Sequence, residues 1–168
     1  CIPNNVDEGF SEQKSIDGEC VNILYLSNLF ETKGYLDVLE AVRILTHEYG
    51  QDVKAHFCGG FQPYVKEGIL HTESEQEQTF LHRIQEYALE NVVYYHSFVD
   101  GKEKVKMLSD SHIMVLPTYY ELEGQPISLI EGLAYGLPLI GTDFRGVKSM
   151  LVEGKNGYFV SEKSPDEI

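Results

Sequence analysis

Short apolar runs alternate with longer amphipathic stretches along most of the chain. "VNILYL" (21–26) is a compact apolar run with a β-branched start and predicts a central strand. "KGYLDVLEAVRILTHEYG" (33–50) follows, with Tyr35, Val38, Leu39, Val42 and Leu45 at helical spacing and Gly50 as a stop. The alternation continues with strands at "VKAHFCGG", "NVVYYHSF", "HIMVLP" and "PLIGT", and a small sixth at "NGYFV". Between them fall helices at "ESEQEQTFLHRIQEYALE", "KEKVKMLSD" and "PISLIEGLAYG". Such an order predicts an α/β domain of 21–168 with a mainly parallel sheet of about six strands, covered by helices on both faces. Ligands of these sheets bind at the carboxyl ends of the strands, so residues just after each strand become the candidates.

Residues 1–20 are polar and turn-rich and read as an inter-domain linker. Cys1 in place of Met, and a stop at Ile168 amid charges, read as a piece of a longer polypeptide. The net charge of −14 lacks the basic footprint of a nucleic-acid binder and disfavours docking on anionic lipid. No apolar run reaches the ~18 residues of a membrane span. Cys1, Cys20 and Cys58 have no paired or metal-type spacing, and Cys58 reads as a buried thiol of a reducing compartment. The six histidines lack ligand spacing, so packing or surface roles are expected for His56, His96 and His112.

Chemistry concentrates in "ELEGQPISLIEGLAYGLPLI" (121–140), where Glu123 and Glu131 bracket seven residues. With Pro126 opening a helix and about 100° per residue, Leu129, Leu133, Ile130, Ala134 and Ile127 fill one apolar arc of roughly 160°. Glu131 falls about 40° beyond its edge, beside the expected buried face. Glu123 precedes the helix, where the amides of Gly124, Gln125 and Ile127 favour negative charge or an anionic ligand. Two readings fit: a capping Glu123 with a solvated Glu131, or a pair of ligand-binding acids. Lys33–Gly34 puts a cation against a helix dipole, which suits either a phosphate partner or a solvated lysine. Tyr119 and Tyr120 wall the acids or cap the sheet edge, and Gly59–Gly60 make a tight turn or a phosphate approach.

The 121–140 stretch resembles the signature of the large retaining glycosyltransferase family called group 1 or family 4. "CIPNNVD" resembles the family's approach to its C-terminal domain, with Asn5 at a glycine position. "HSFVD" resembles the loop that grips the base around Val99. "SNLFETKG" matches the family's Lys-Gly at Lys33 and Gly34, with Asn28 where members carry arginine. The resemblance implies the C-terminal, Rossmann-like half of a GT-B fold, with the N-terminal acceptor domain absent from this chain. It implies that Glu131 bonds the ribose, that Glu123 bonds the transferred sugar, and that the chain from Gly124 through Gln125 and Pro126 to Ile127 faces sugar and diphosphate. Lys33, with Asn28 and Gly34, would hold the diphosphate, and Glu123 and Lys33 would carry the chemistry. The implied reaction moves a hexose-type residue from a nucleoside diphosphate sugar, expected to be a uridine one, to a carbohydrate or lipid-linked acceptor hydroxyl. Polysaccharide or glycolipid synthesis in the cytoplasm, at an inner membrane surface reached through the N-terminal domain, would be its setting. No metal or other cofactor is expected, and the isolated piece is expected to be inactive. A GT-B epimerase and a non-catalytic nucleotide-sugar module are the other readings.

Overall fold

The computed structural model describes residues 20–66 and 68–168. The linker assigned to 1–20, including the "CIPNNVD" segment, lies outside the described residues apart from Cys20. The chain runs through β1 (Val21–Leu26), α1 (Tyr35–His47), β2 (Val53–Cys58), β3 (Tyr64–Lys66), β4 (Ile69–His71) and α2 (Glu73–Glu86). It continues through β5 (Val93–Tyr95), α3 (Gly101–Asp110), β6 (Ile113–Leu116), α4 (Ile127–Ala134), β7 (Leu139–Thr142) and β8 (Gly157–Val160).

Six strands form one parallel sheet in the order β5-β2-β1-β6-β7-β8. Numbered among themselves these strands read 3-2-1-4-5-6, the doubly wound order whose connections reverse direction between the first and fourth strands. That reversal leaves a crevice above the carboxyl ends of β1 and β6. Alternation along the strands supplies two apolar faces. Ile23, Val53, Ile113 and Val115 meet Val38 and Val42 of α1 on one face. On the other, Met114 and Leu139 receive α4 through Gly132. Phe80 of α2 packs into an aromatic cluster with Phe57, Phe61, Tyr35 and Tyr95.

Two local expectations change. The apolar arc of α4 does not face inward: Ile127 is 73% exposed and Ile130 47%, whereas Leu129 is fully buried. The buried stripe runs through Leu129 and Gly132, because a helix approaches a sheet most closely where it has no side chain. A Cβ on Gly132 would stand 2.5 Å from Met114 Sδ. Pro126 is the N-cap in extended conformation rather than the first helical residue. The second change is a β3–β4 hairpin, antiparallel from Tyr64↔His71 to Lys66↔Ile69, that strand periodicity did not announce.

Candidate functional site

The turns after β1 and β6 meet at the crevice. After β1 the chain makes a 3-10 turn, Glu31–Lys33, and leaves it through Gly34 in the left-handed region (φ 76°). A Cβ at Gly34 would lie 2.6 Å from the Pro117 carbonyl, so glycine is required both for the turn and for contact with the β6 end. Lys33 therefore sits in this turn, one residue before the N-cap of α1, rather than inside the helix. The Tyr119 amide donates to the Thr32 carbonyl at 2.8 Å and ties the two turns together.

Lys33 Nζ lies 2.5 Å from Glu123 Oε2, with side-chain exposures of only 13% and 7%. Thr118, itself fully buried, donates its hydroxyl to the same oxygen at 3.0 Å. Lys33 Nζ also stands 5.1 Å from the Tyr120 ring centroid, within reach of a cation–π contact. Beneath the turn, the Tyr25 hydroxyl is shared between the carbonyls of Asn28 (3.2 Å) and Lys33 (3.5 Å). Burial pushes this phenol well above its ordinary pKa, so it remains a hydrogen-bond donor.

Glu123 does not cap α4, whose N-cap has no side-chain hydrogen bond. The amides of Gly124 and Gln125 donate to no acceptor among the described residues. Open space adjoins Gly124, so a ligand could approach its backbone. Gln125 turns its side chain to Ser149 Oγ at 3.2 Å. The loop is backed by Gly146, where a Cβ would fall 1.8 Å from the Gly124 carbonyl oxygen. The Ile127 side chain points outward and adds only its place at the start of α4.

A cleft of about 170 Å³ opens on the other side of the Asn28 turn. Asn28, Gly59, Val99, Lys104 and Glu131 line it, with Phe98 on the rim. Glu131 Oε1 is 2.6 Å from Lys104 Nζ of α3, at side-chain exposures of 29% and 32%. Cys58 also lines the cleft, and burial, reinforced by Glu103, raises its thiol to about 12, which keeps it protonated and unreactive. The Gly59 amide donates to Ser97 at 2.6 Å, so Gly59 joins two loops rather than offering its amide to the cleft.

The structure thus brings Asn28, Val99 and Glu131 to one cleft and sets Lys33, Gly34, Glu123 and Gly124 on the adjoining rim. Tyr120 belongs to this rim, whereas Tyr119 lies under Lys163 Nζ at 4.9 Å. Burial raises the Tyr119 hydroxyl to about 12, with Asp37 and Glu31 adding to the shift. Periodicity missed Lys104, Thr118 and Gly146. Lys104 had a signal, since it opposes the dipole near the start of α3 as Lys33 does at α1. His56 Nδ1 and His96 Nε2 are 2.9 Å apart below the cleft, while His112 Nδ1 accepts the Asn22 amide. Among the described residues no three His, Cys, Asp or Glu side chains converge.

A family model described as "Glycosyl transferases group 1" matches residues 7–168. The chain is 34% identical over 89 residues, 51% of its own length and 22% of the relative's, to the putative colanic acid biosynthesis glycosyltransferase WcaL of Salmonella typhimurium. It is 26% identical over 146 residues, 84% of this chain and 32% of the relative, to the amylovoran biosynthesis glycosyltransferase AmsK of Erwinia amylovora. The chain therefore spans between a fifth and a third of the length of these relatives. Its fold is shared with Anabaena HepE, whose structure holds UDP-glucose, at a TM-score of 0.72 and 16% identity over 88% of this chain and 36% of that one. The C-terminal domain of the group 1 protein LpcC from Francisella tularensis superposes at 0.70 and 18% identity, over 88% of this chain and 70% of that one.

Proposed function

The chain belongs to the group 1 glycosyl transferases, and on that premise we propose that it is the donor-binding half of a retaining glycosyltransferase, spanning residues 21–168. The full-length protein transfers a hexose-type residue from a nucleoside diphosphate sugar, with uridine as the preferred base, to a carbohydrate or lipid-linked acceptor held by an N-terminal domain. The observation that carries this reading is the junction of two sites at the β1/β6 crevice. A lysine–acid pair at the first turn adjoins a cleft that holds a second acid.

In this reading the base lies against Val99 and the ribose hydroxyls bond Glu131. The diphosphate crosses Asn28 toward Lys33 and the amides of Gly124 and Gln125. As the bond from sugar to diphosphate lengthens, negative charge grows on the departing phosphate. Lys33 and the amides already stand where that charge develops, so they stabilise it without reorganising. Glu123 accepts hydrogen bonds from sugar hydroxyls and fixes the ring's orientation, which lowers the barrier further. Charge compensation is assigned to these groups, with no metal required. The names of the relatives, colanic acid and amylovoran glycosyltransferases, support a polysaccharide pathway. We place the reaction in the cytoplasm on the strength of the family likeness alone. No helix among the described residues is long and apolar enough to cross a membrane.

Calorimetric titration of the full-length protein with UDP, GDP and ADP, followed by transfer assays with the matching sugar donors, tests the reading. UDP binding and a product with the donor's anomeric configuration are expected. A protein that binds none of these nucleotides would instead be a non-catalytic module.

A further inference from the structure

The charge balance of the cleft points to a group that donor recognition still lacks. A nucleoside diphosphate sugar carries about two negative charges, and the released diphosphate about three at neutral pH. The protein around it carries −14. Lys33 is one compensating cation, but it is already held by Glu123 and sits on the rim beyond the cleft. Asn28, at the point where the diphosphate crosses, is neutral. Among the described residues lining the cleft, Lys104 is the one cation, set against two carboxylates, Asp100 and Glu131.

Two features of Lys104 fit a ligand role. It stands near the start of α3, where the dipole disfavours a cation, and the last turn of that helix has no basic residue to exploit the favourable end. An anion in the cleft would offset that conflict. Its contact with Glu131 is also partial: both side chains keep roughly a third of their surface exposed. A lysine ammonium has three donors on a flexible stem, so one bond to a carboxylate leaves two to place.

We propose that Lys104 is a donor-binding residue whose ammonium bridges Glu131 and the nucleoside diphosphate, supplying within the cleft the positive charge that Asn28 does not. The inference rests on the glycosyltransferase reading and extends it to a residue outside the 121–140 stretch. Glu131 keeps its second oxygen for the ribose, and Lys104 spans ribose and phosphate.

The test compares full-length wild type with Lys104→Met, which keeps the stem and removes the charge, with Lys104→Arg, and with the double variant Asn28→Arg/Lys104→Met. Each is titrated with UDP, GDP and ADP alongside the matching nucleosides, which lack phosphate. For the diphosphate that wild type prefers, Lys104→Met should weaken binding by about tenfold, the worth of one charge-assisted bond. Its nucleoside should bind with unchanged affinity, Lys104→Arg should stay within about threefold, and the arginine at 28 should restore most of the loss. Equal losses for nucleoside and diphosphate would reduce Lys104 to a brace for Glu131 and overturn the inference. So would a Lys104→Met protein that binds the diphosphate as wild type does. In both of those outcomes wild type still binds nucleotide and the glycosyltransferase reading stands. Failure of wild type to bind any of the three diphosphates would remove the reading and the inference together.

Discussion

The two lysine–glutamate pairs at the crevice have the same chemistry and opposite settings. Lys33–Glu123 joins turns that lie 90 residues apart, and it is nearly enclosed, with Thr118 and Tyr120 on its flanks. Lys104–Glu131 bridges two helices across an open cleft and has no third partner among the described residues. Removing one member of an enclosed pair strands a charge away from water, whereas an exposed pair contributes little to stability. The first pair should therefore join stability to function, and the second should affect ligand binding almost alone.

Glu123→Gln tests the stronger half of that contrast. It removes the acid paired with Lys33 and the proposed anchor of the sugar, so turnover should fall by about 10²–10³-fold, as for loss of a preorganised polar contact at a reacting centre. Stability should fall by on the order of 2–3 kcal/mol, since the lysine is left without its partner. A melting curve like that of wild type would erase the distinction between the pairs. Lys33→Ala should lower kcat by about 10²-fold, with a smaller stability loss because Thr118 still satisfies the acid. Near wild-type kcat and KM would take Lys33 out of the reaction.

Glu131→Gln sharpens the other half. Donor KM should rise by about tenfold while stability changes by no more than about 0.5 kcal/mol. A large loss of stability would show that the cleft pair is structural after all. The smallest effect concerns the paired histidines, His56 and His96. Burial lowers the pKa of His56 and His96 below 6.5, with the His96 charge adding to the shift at His56. Glu103 opposes the shift at His96, and Asp110 opposes it at His56 while Lys54 and Lys106 add to it. The unfolded chain therefore binds more protons below pH 6.5, so their contribution is complete above that value and declines as pH falls further. Melting temperatures between pH 7.5 and 5 should drop on the acid side, and His56→Phe should flatten that part of the profile.

Much of the sheet was legible because parallel strands buried on both faces are written as apolar runs, "VNILYL" and "HIMVLP" among them. The hairpin was not, since its strands are three residues long and Val65, Ile69 and Leu70 are exposed. Turn chemistry and motif spacing led to Glu123, Glu131 and Lys33. Periodicity failed on α4 because it weighs bulk, whereas the closest contact is made by Gly132. Lys104 left one trace, a cation near the start of α3, but Thr118 and Gly146 went unseen because their roles depend on neighbours brought in from other connections. A residue's own stretch carries little trace of a partner that arrives through the tertiary fold.

The central position of β1 has a kinetic consequence. Its pairing with β6 unites segments about 90 residues apart, a long loop to close before any contact rewards it. The local β1–α1–β2 unit should consequently form early, and docking of β6 should be the late, slow event. During synthesis the lysine of the first turn waits for its acid until residue 123 has left the ribosome, so the Lys33–Glu123 pair closes only after most of the domain has been made.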